Sequence, residues 1–245
     1  MRILIANPNT TQSMTDLMVS EARQVCRADT EIIGVSADFG VSYIATRSEM
    51  TIAGHALLDC LARHHTGFDA VIIGAFCHSF VAPAKELTPL PVIGIAEAGM
   101  RAAQLFGRRI SIIGIGGHDR GANEEIVEHL GMKEDMASIR ILPLSGTELA
   151  SNQAGAVAEI VRLGKATIAE DYADVLVLGG SAFSGISDLV AAKLPVPVIS
   201  PLAYAVGMAE IAVSSGWRKP TEGTYSAPGP KLTSGLSDQL SNFFN

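Results

Sequence analysis

One feature constrains the fold of this 245-residue chain more than any other: its apolar, strand-like segments recur after an almost constant interval. Three segments recur in the same order, at offsets of 105, 106 and 107 residues: Asp69–Gly74 at Asp174–Gly179, Pro91–Ile93 at Pro197–Ile199, and Arg2–Ile5 at Arg109–Ile112. Buried strands resemble one another, but unrelated strands do not keep a constant spacing. The pattern therefore predicts an internal duplication.

Short apolar runs alternate with longer segments of helical periodicity, which is typical of βαβ units. The predicted strands are Arg2–Ala6, Glu31–Val35, Ala70–Gly74, Val92–Ile95, Ile110–Ile115, Ser138–Pro143, Val175–Gly179 and Val198–Ile199. The predicted helices include Thr11–Cys26, Glu49–His64, Gly99–Phe106, Asn123–Leu130 and Gln153–Glu170. Most strands are continuous β-branched runs without polar alternation, as in parallel sheets that are buried on both faces.

These observations predict an α/β fold of two similar domains, each with a parallel central sheet, related by pseudo-twofold symmetry. We expect the first domain to span residues 1–107 and the second 108–215. Residues 216–245 are rich in proline and glycine, and we expect this tail to pack back on the body. Within it, Leu236–Phe244 has apolar residues at helical spacing.

The composition limits which kinds of molecule the protein can be expected to bind. The formal net charge is −7, which argues against nucleic-acid binding because no basic excess can neutralise phosphates. No apolar run reaches the roughly 18 residues that a membrane span requires. The first residues lack the pattern of a signal peptide, and three irregularly spaced cysteines imply no disulfide framework. We expect a cytoplasmic protein with a small-molecule substrate.

Four segments follow predicted strands and carry small or polar residues: Asn7–Thr10, Gly74–Ser79, Gly114–His118 and Gly179–Gly185. Ligands of open parallel sheets bind at the carboxyl ends of strands. The second and fourth segments are the duplicated pair, so they should meet across a cleft. Backbone N–H groups in such loops can hold a carboxylate or a developing oxyanion. The predicted substrate-binding residues are Asn7, Asn9, Phe76, Ser79, Gly180, Ser181 and Ala182.

Cys77 is the strongest candidate for chemistry, with His78 beside it. A thiol at a helix start can have a lowered pKa, and its thiolate is a base or a nucleophile. The alternative is a buried structural cysteine, which is a frequent environment for this residue. His78 is expected to tune Cys77 or to bind substrate. Cys26 and Cys60 lie in helical patterns and are expected to pack in the core.

The remaining motifs favour an enzyme without a cofactor. Gly114–Asp119 lacks the third glycine of a dinucleotide fingerprint, and Gly164-Lys165 is not followed by the Ser or Thr of a phosphate loop. No His or Cys pair has the spacing of a zinc site. We therefore expect no metal, flavin, nicotinamide or pyridoxal group.

Four segments together resemble the aspartate/glutamate/hydantoin racemase superfamily, most closely its hydantoin racemase branch: Asn7–Thr11, Pro91–Ala98, Gly107–Ser111 and Gly223–Lys231. The resemblance covers nearly the whole chain, and the last segment is specific to the branch. It implies cofactor-independent chemistry at a carbon next to a carbonyl, on a small carboxylate or a cyclic ureide. Members of the superfamily are commonly homo-oligomers, so a homo-oligomer is expected.

The resemblance also implies a mechanism with two thiols on opposite faces of the substrate, one removing the α-proton and the other returning a proton. In this chain the two thiol positions fall on Ala75 and Gly180, neither of which can carry a proton. Three readings stay open. The chain is a racemase-like isomerase with an unusual base pair, a decarboxylase or hydrolase that uses Cys77 on the same scaffold, or a protein that binds a small ligand without chemistry.

Overall fold

Two four-stranded parallel sheets form the framework of the chain, in a computed structural model that describes residues 1–116, 119–144, 148–149 and 152–245. Their strand orders are β2-β1-β3-β4 and β6-β5-β7-β8, which is the same topology twice. The α/β fold with two parallel sheets that the sequence predicts is confirmed. Gly117 and His118, in the third strand-end segment, lie outside the described residues.

The strands keep the order of the duplication. They are β1 (Arg2–Asn7), β2 (Glu31–Ser36), β3 (Ala70–Ile73), β4 (Val92–Gly94), β5 (Ile110–Ile115), β6 (Met136–Leu142), β7 (Val175–Gly179) and β8 (Val198–Ile199). In the first sheet Ile3 of β1 pairs with Ile32 and Ala70. The side chains of β1, β3, β5 and β7 are almost all fully buried, because helices cover both faces of each sheet.

Nine α-helices are described. They are α1 (Gln12–Val25), α2 (Arg47–His64), α3 (Val81–Leu87), α4 (Ile95–Ala103), α5 (Asp119–His129), α6 (Gln153–Asp171), α7 (Ser187–Ala191), α8 (Pro201–Ser214) and α9 (Asp238–Ser241). The predicted helix Gly99–Phe106 was placed four residues too late, since the Glu97 carboxylate accepts the Gly94 N–H and starts α4 directly after β4. None of the described helices is long and apolar enough to cross a membrane.

The last helix after each sheet packs against the other sheet as well as its own. Helix α4 follows the first sheet, yet Met100 and Ala103 are buried in the cluster that contains Ile112 of β5 and Val177 of β7. Helix α8 shows the reverse arrangement: it follows the second sheet and buries Val206 against the first. The two helices also contact each other closely, because a Cβ on Gly99 of α4 would lie 2.8 Å from Pro201 Cβ.

The tail lies on the first half of the chain. Leu240 of α9 is buried with Ala62 and Leu87, and the Ser237 hydroxyl donates to the Asp59 carboxylate on α2. Farther upstream, the Lys219 ammonium donates to the backbone carbonyl of Glu86 at 2.6 Å. These contacts connect the tail to α2 and to the end of α3.

Candidate active site

A cavity of about 60 Å³ lies between the two sheets, at the carboxyl ends of their central strands. Its walls come from both halves of the chain and from the segment between β2 and α2. The lining residues are Asn9, Met14, Tyr43, Ile44, Met50, Ala75, Phe76, Cys77, Ile115, Ala122, Asn123, Gly179, Gly180, Ser181 and Ala182. Its position follows the rule for parallel sheets, in which strand-end loops surround the ligand.

Two loops of the lining occupy equivalent positions in the two sheets. We call Gly74–Phe80, which connects β3 to α3, the thiol loop, and Gly179–Ile186, which connects β7 to α7, the glycine loop. The structure brings six of the predicted site residues together in the cavity: Asn9, Phe76, Cys77, Gly180, Ser181 and Ala182. The Phe76 ring lies so near the glycine loop that a Cβ on Gly179 would be 3.2 Å from its Cε1 atom.

Asn7 lies beneath the cavity and does not line it. Its side chain has 0% exposure, and its amide donates to Asn9 Oδ1 at 3.0 Å and to Thr15 Oγ1 at 2.9 Å. Asn9 Oδ1 also accepts the Thr11 N–H at 2.9 Å. The predicted direct contact of Asn7 with substrate is therefore not supported, because this side chain is used to orient Asn9.

His78 and Ser79 also lie outside the cavity lining. The His78 ring stacks on His129 of α5, with 4.9 Å between ring centroids. Burial lowers the pKa of His78, and the neighbouring His129 lowers it further, while Glu125 opposes both effects. Ser79 is exposed, and its hydroxyl lies 3.1 Å from Cys77 Sγ. The side chains of adjacent residues in this loop thus point in different directions.

The thiol of Cys77 is only 4% exposed, and its residue lines the cavity. The predicted lowering of its pKa is wrong: burial raises the pKa of the thiol, and this outweighs the hydrogen bonds from the Ser79 hydroxyl and from the backbone N–H groups of Ser79 and His78. Helix α3 starts only at Val81, so its first turn is not directly beneath the sulfur. The thiol is therefore mostly protonated at neutral pH.

The glycine loop presents its backbone to the cavity rather than an acid or a base. Gly180 is extended, with φ 162° and ψ 144°, and a Cβ there would meet Ile115 and Phe183 at an ordinary 3.6 Å. A side chain would fit at Gly180, so close packing does not require this glycine. At Gly179 close packing does require glycine, because a Cβ there would lie 2.8 Å from Ile112 Cγ2.

A buried carboxylate from the first half holds the glycine loop in place. Glu21 of α1 is 8% exposed, and its Oε2 atom accepts the Gly185 N–H at 3.1 Å. The Ser200 hydroxyl at the start of α8 donates to the other carboxylate oxygen. Glu21 therefore connects α1 to both chain segments that follow β7 and β8.

Sequence reasoning missed several cavity residues, above all Tyr43 and Asn123. Tyr43 comes from the segment between β2 and α2, and its hydroxyl approaches the second half, 3.8 Å from where a Cβ on Gly116 would lie. Asn123 is 2% exposed on α5. Neither residue follows a strand directly, so the strand-end rule did not select them. The only sequence signal for Tyr43 and Asn123 was that each is an aromatic or amide residue near the start of a predicted helix.

The described residues contain no group of three or more His, Cys, Asp or Glu side chains that could hold a metal ion. Cys26, Cys60 and Cys77 are free thiols. Within the cavity the titratable side chains are those of Cys77 and Tyr43. The arrangement thus offers one thiol, hydroxyl groups and backbone N–H groups for chemistry.

Comparison with known proteins identifies the family. The family described as Asp/Glu/Hydantoin racemase matches residues 3–209. A hydantoin racemase of Pseudomonas sp. (strain NS671) is 27% identical over 232 residues, which are 94% of this chain and 93% of the relative. A hydantoin racemase of Paenarthrobacter aurescens is 28% identical, covering 94% of this chain and 99% of the relative.

Solved structures give the same result. The allantoin racemase of Pseudomonas fluorescens superimposes with a TM-score of 0.92 at 31% identity, covering 96% of this chain and all of that one. The allantoin racemase of Klebsiella pneumoniae superimposes with a TM-score of 0.91 at 28% identity, covering 99% of this chain and 98% of that one. This chain therefore belongs to the Asp/Glu/hydantoin racemase family and is an enzyme of the racemase superfamily.

Proposed function

We propose that this enzyme is a cofactor-independent racemase that acts next to a carbonyl of a small cyclic ureide or a related carboxylate. The relatives are named hydantoin and allantoin racemases, and hydantoin and allantoin are both cyclic ureides. The cavity of about 60 Å³ favours a small substrate, because pockets for drug-sized ligands measure roughly 300–1,000 Å³.

The observation that carries the proposal is the shared cavity of Cys77 and the glycine loop. In the proposed reaction the minor thiolate form of Cys77 takes up the proton that is released when the C–H bond next to the carbonyl breaks. The electron pair forms an enolate, whose oxygen accepts hydrogen bonds from backbone N–H groups at Ser181 and Ala182. We assign the proton that returns to the other face to the hydroxyl of Tyr43, which lines the same cavity.

A specific observation favours decarboxylation as the second candidate. Burial keeps Cys77 protonated, and Gly180, on the equivalent loop, has no side chain that could act as a second base. A protonated thiol can deliver one proton to the enolate that forms when a C–CO₂ bond breaks. Hydrolysis with Cys77 as nucleophile is the weaker alternative, because it needs the thiolate just as racemisation does, while the relatives are named racemases.

Deuterium exchange separates these reactions. The protein is incubated in heavy water with single enantiomers of allantoin and of a 5-substituted hydantoin, and NMR and chiral chromatography follow the substrate. Racemisation with deuterium entering at the α-carbon supports the proposal. Carbon dioxide released from a substituted malonate, without racemisation of either ureide, would instead establish the lyase. Saturable binding without any exchange would contradict catalysis on ureides.

A gain-of-function variant tests the pocket independently. Ala75→Cys combined with Gly180→Cys places thiols at the two positions that the family resemblance assigns to the acid–base pair, and both positions line the cavity. Gly180 has room for a Cβ. We expect the double variant to racemise a ureide at least about tenfold faster than the parent, a threshold set below the roughly hundredfold effect of a well-positioned acid or base. The controls are Ala75→Cys alone and Gly180→Ala, which adds the Cβ without a thiol.

A further inference from the structure

We propose that Ser79 is a positioning residue for Cys77, whose hydroxyl holds the thiol at the cavity wall and connects it to water in an outer groove. The inference deepens the proposed function, because it assigns the route by which the buried thiol exchanges its proton. The Ser79 Oγ and Cys77 Sγ atoms are 3.1 Å apart. Ser79 is exposed, whereas Cys77 is 4% exposed.

The outer groove borders the thiol loop and has a volume of about 380 Å³. It is lined by Arg47, Met50, Thr51, Gly54, His55, Leu58, His78, Ser79, Phe80, Pro83 and Glu125. Both halves of the chain form it, since Arg47 of α2 donates from Nε to Glu125 of α5 at 2.8 Å. The groove is large enough for several waters, because one water occupies roughly 30 Å³ of liquid.

Of the groups that hydrogen-bond to the Cys77 sulfur, the Ser79 hydroxyl is the one suited to pass on a proton. The backbone N–H groups of His78 and Ser79 also hydrogen-bond to the sulfur, but an amide N–H only donates. A serine hydroxyl donates and accepts. The thiol S–H bond can therefore break as its proton forms a new bond to Ser79 Oγ, while the original hydroxyl proton leaves to a groove water. The reverse transfer reprotonates the thiolate.

Other charged and titratable groups face Cys77 from each neighbouring element. They are Glu125 and His129 on α5, His78 on the thiol loop, Lys85 on α3, Glu97 on α4, Tyr225 in the tail and Tyr43 across the cavity. Lys85 and Glu97 form an ion pair at 2.7 Å, as do Arg47 and Glu125. Replacing Ser79 changes none of these charges, so a change in thiol ionisation would report on the hydroxyl itself.

The test follows alkylation of Cys77 by iodoacetamide across pH, in the full-length protein, with each cysteine resolved by mass spectrometry. Loss of one hydrogen bond to a thiolate, worth about 1–1.5 kcal/mol, raises a pKa by roughly one unit. Below the midpoint of the titration, Ser79→Ala should therefore alkylate about tenfold more slowly at Cys77. Ser79→Thr keeps the hydroxyl and should restore the parent midpoint. Cys60, whose pKa burial raises to about 12, is the internal reference.

Unchanged titration of Cys77 in Ser79→Ala would overturn the proposal, and so would an equal upward shift in Ser79→Thr. Should Ser79→Ala lose its cooperative thermal unfolding, Ser79→Gly provides a second deletion of the hydroxyl. The readout needs no substrate. A shifted midpoint in a protein that turns over no ureide would therefore support the role of Ser79 while contradicting the proposed reaction.

Discussion

The thiol loop and the glycine loop follow equivalent strands of the two sheets, yet they contribute different chemistry to the cavity. The thiol loop carries a thiol, an imidazole and a hydroxyl in succession, from Cys77 to Ser79. At the corresponding place the glycine loop has two glycines, followed by Ser181 and Ala182. Only its backbone and one small hydroxyl reach the cavity.

A duplicated fold therefore determines where the walls of the cavity lie, but it does not determine which wall carries the reactive groups. Both loops are positioned by the same strand order. Titratable groups are concentrated on the wall from the first half, and the wall from the second half has Gly180 where a side chain would fit.

The largest effect is expected from the thiol itself. Cys77→Ala should lower turnover at least about a hundredfold, the low end for a positioned acid or base, and Cys77→Ser should do nearly as much because a serine hydroxyl barely ionises. Ser181→Ala, the matched change on the other wall, should cost less than about tenfold. The measurement is kcat by chiral chromatography. Equal losses in the two alanine variants would show that the chemistry is shared between the walls.

The next effect concerns Gly74, directly after β3, and Gly179, at the end of β7. Gly179→Ala should destabilise the fold by about 1–3 kcal/mol through overpacking, since its Cβ would lie 2.8 Å from the β-branched Ile112. At Gly74 the nearest atom is the flexible Sδ of Met18, at 2.7 Å, so Gly74→Ala should cost less. Urea unfolding measures both variants. A larger loss at Gly74 would mean that the first sheet is the more rigid one.

A smaller effect is expected at the support of the glycine loop. Glu21→Gln keeps one acceptor oxygen for Gly185 or Ser200 and should cost about 1 kcal/mol, whereas Glu21→Ala leaves both donors without this acceptor and should cost up to about 3 kcal/mol. The alanine change should also raise KM, because the loop that lines the cavity loosens. The comparison uses urea unfolding together with KM for the ureide that is turned over. An unchanged KM in Glu21→Ala would show that the loop holds its shape without α1.

The strand framework could be predicted well from the sequence, because fully buried strands have an apolar pattern that needs no tertiary information. Ile110–Ile115, Val175–Gly179 and Val198–Ile199 have the same bounds in the sequence prediction and in the structure. Helix α8 was not predicted. It is apolar on most of its circumference, so it lacks the periodicity that identifies a helix, and its main partner is the other sheet.

The sequence could predict only those site residues that come directly after a strand. The strand-end rule selected Cys77 and the glycine loop, both of which line the cavity. It could not select Tyr43, which reaches the cavity through long-range packing. The pKa of Cys77 was predicted in the wrong direction, because burial of the thiol depends on residues distant in the chain. His78 does not line the cavity beside Cys77, because adjacency in sequence does not decide which way a side chain turns.

The packing of α4 and α8 on opposite sheets affects how the molecule unfolds. Each half contributes a helix without which the other half would expose Ile3 or Ile112 to water. Neither half can then lose its structure while the other keeps an intact hydrophobic core. Opening of the cavity by separation of the halves is therefore coupled to global denaturation. We therefore expect substrate to enter and leave while the two sheets stay together as a single cooperative unit.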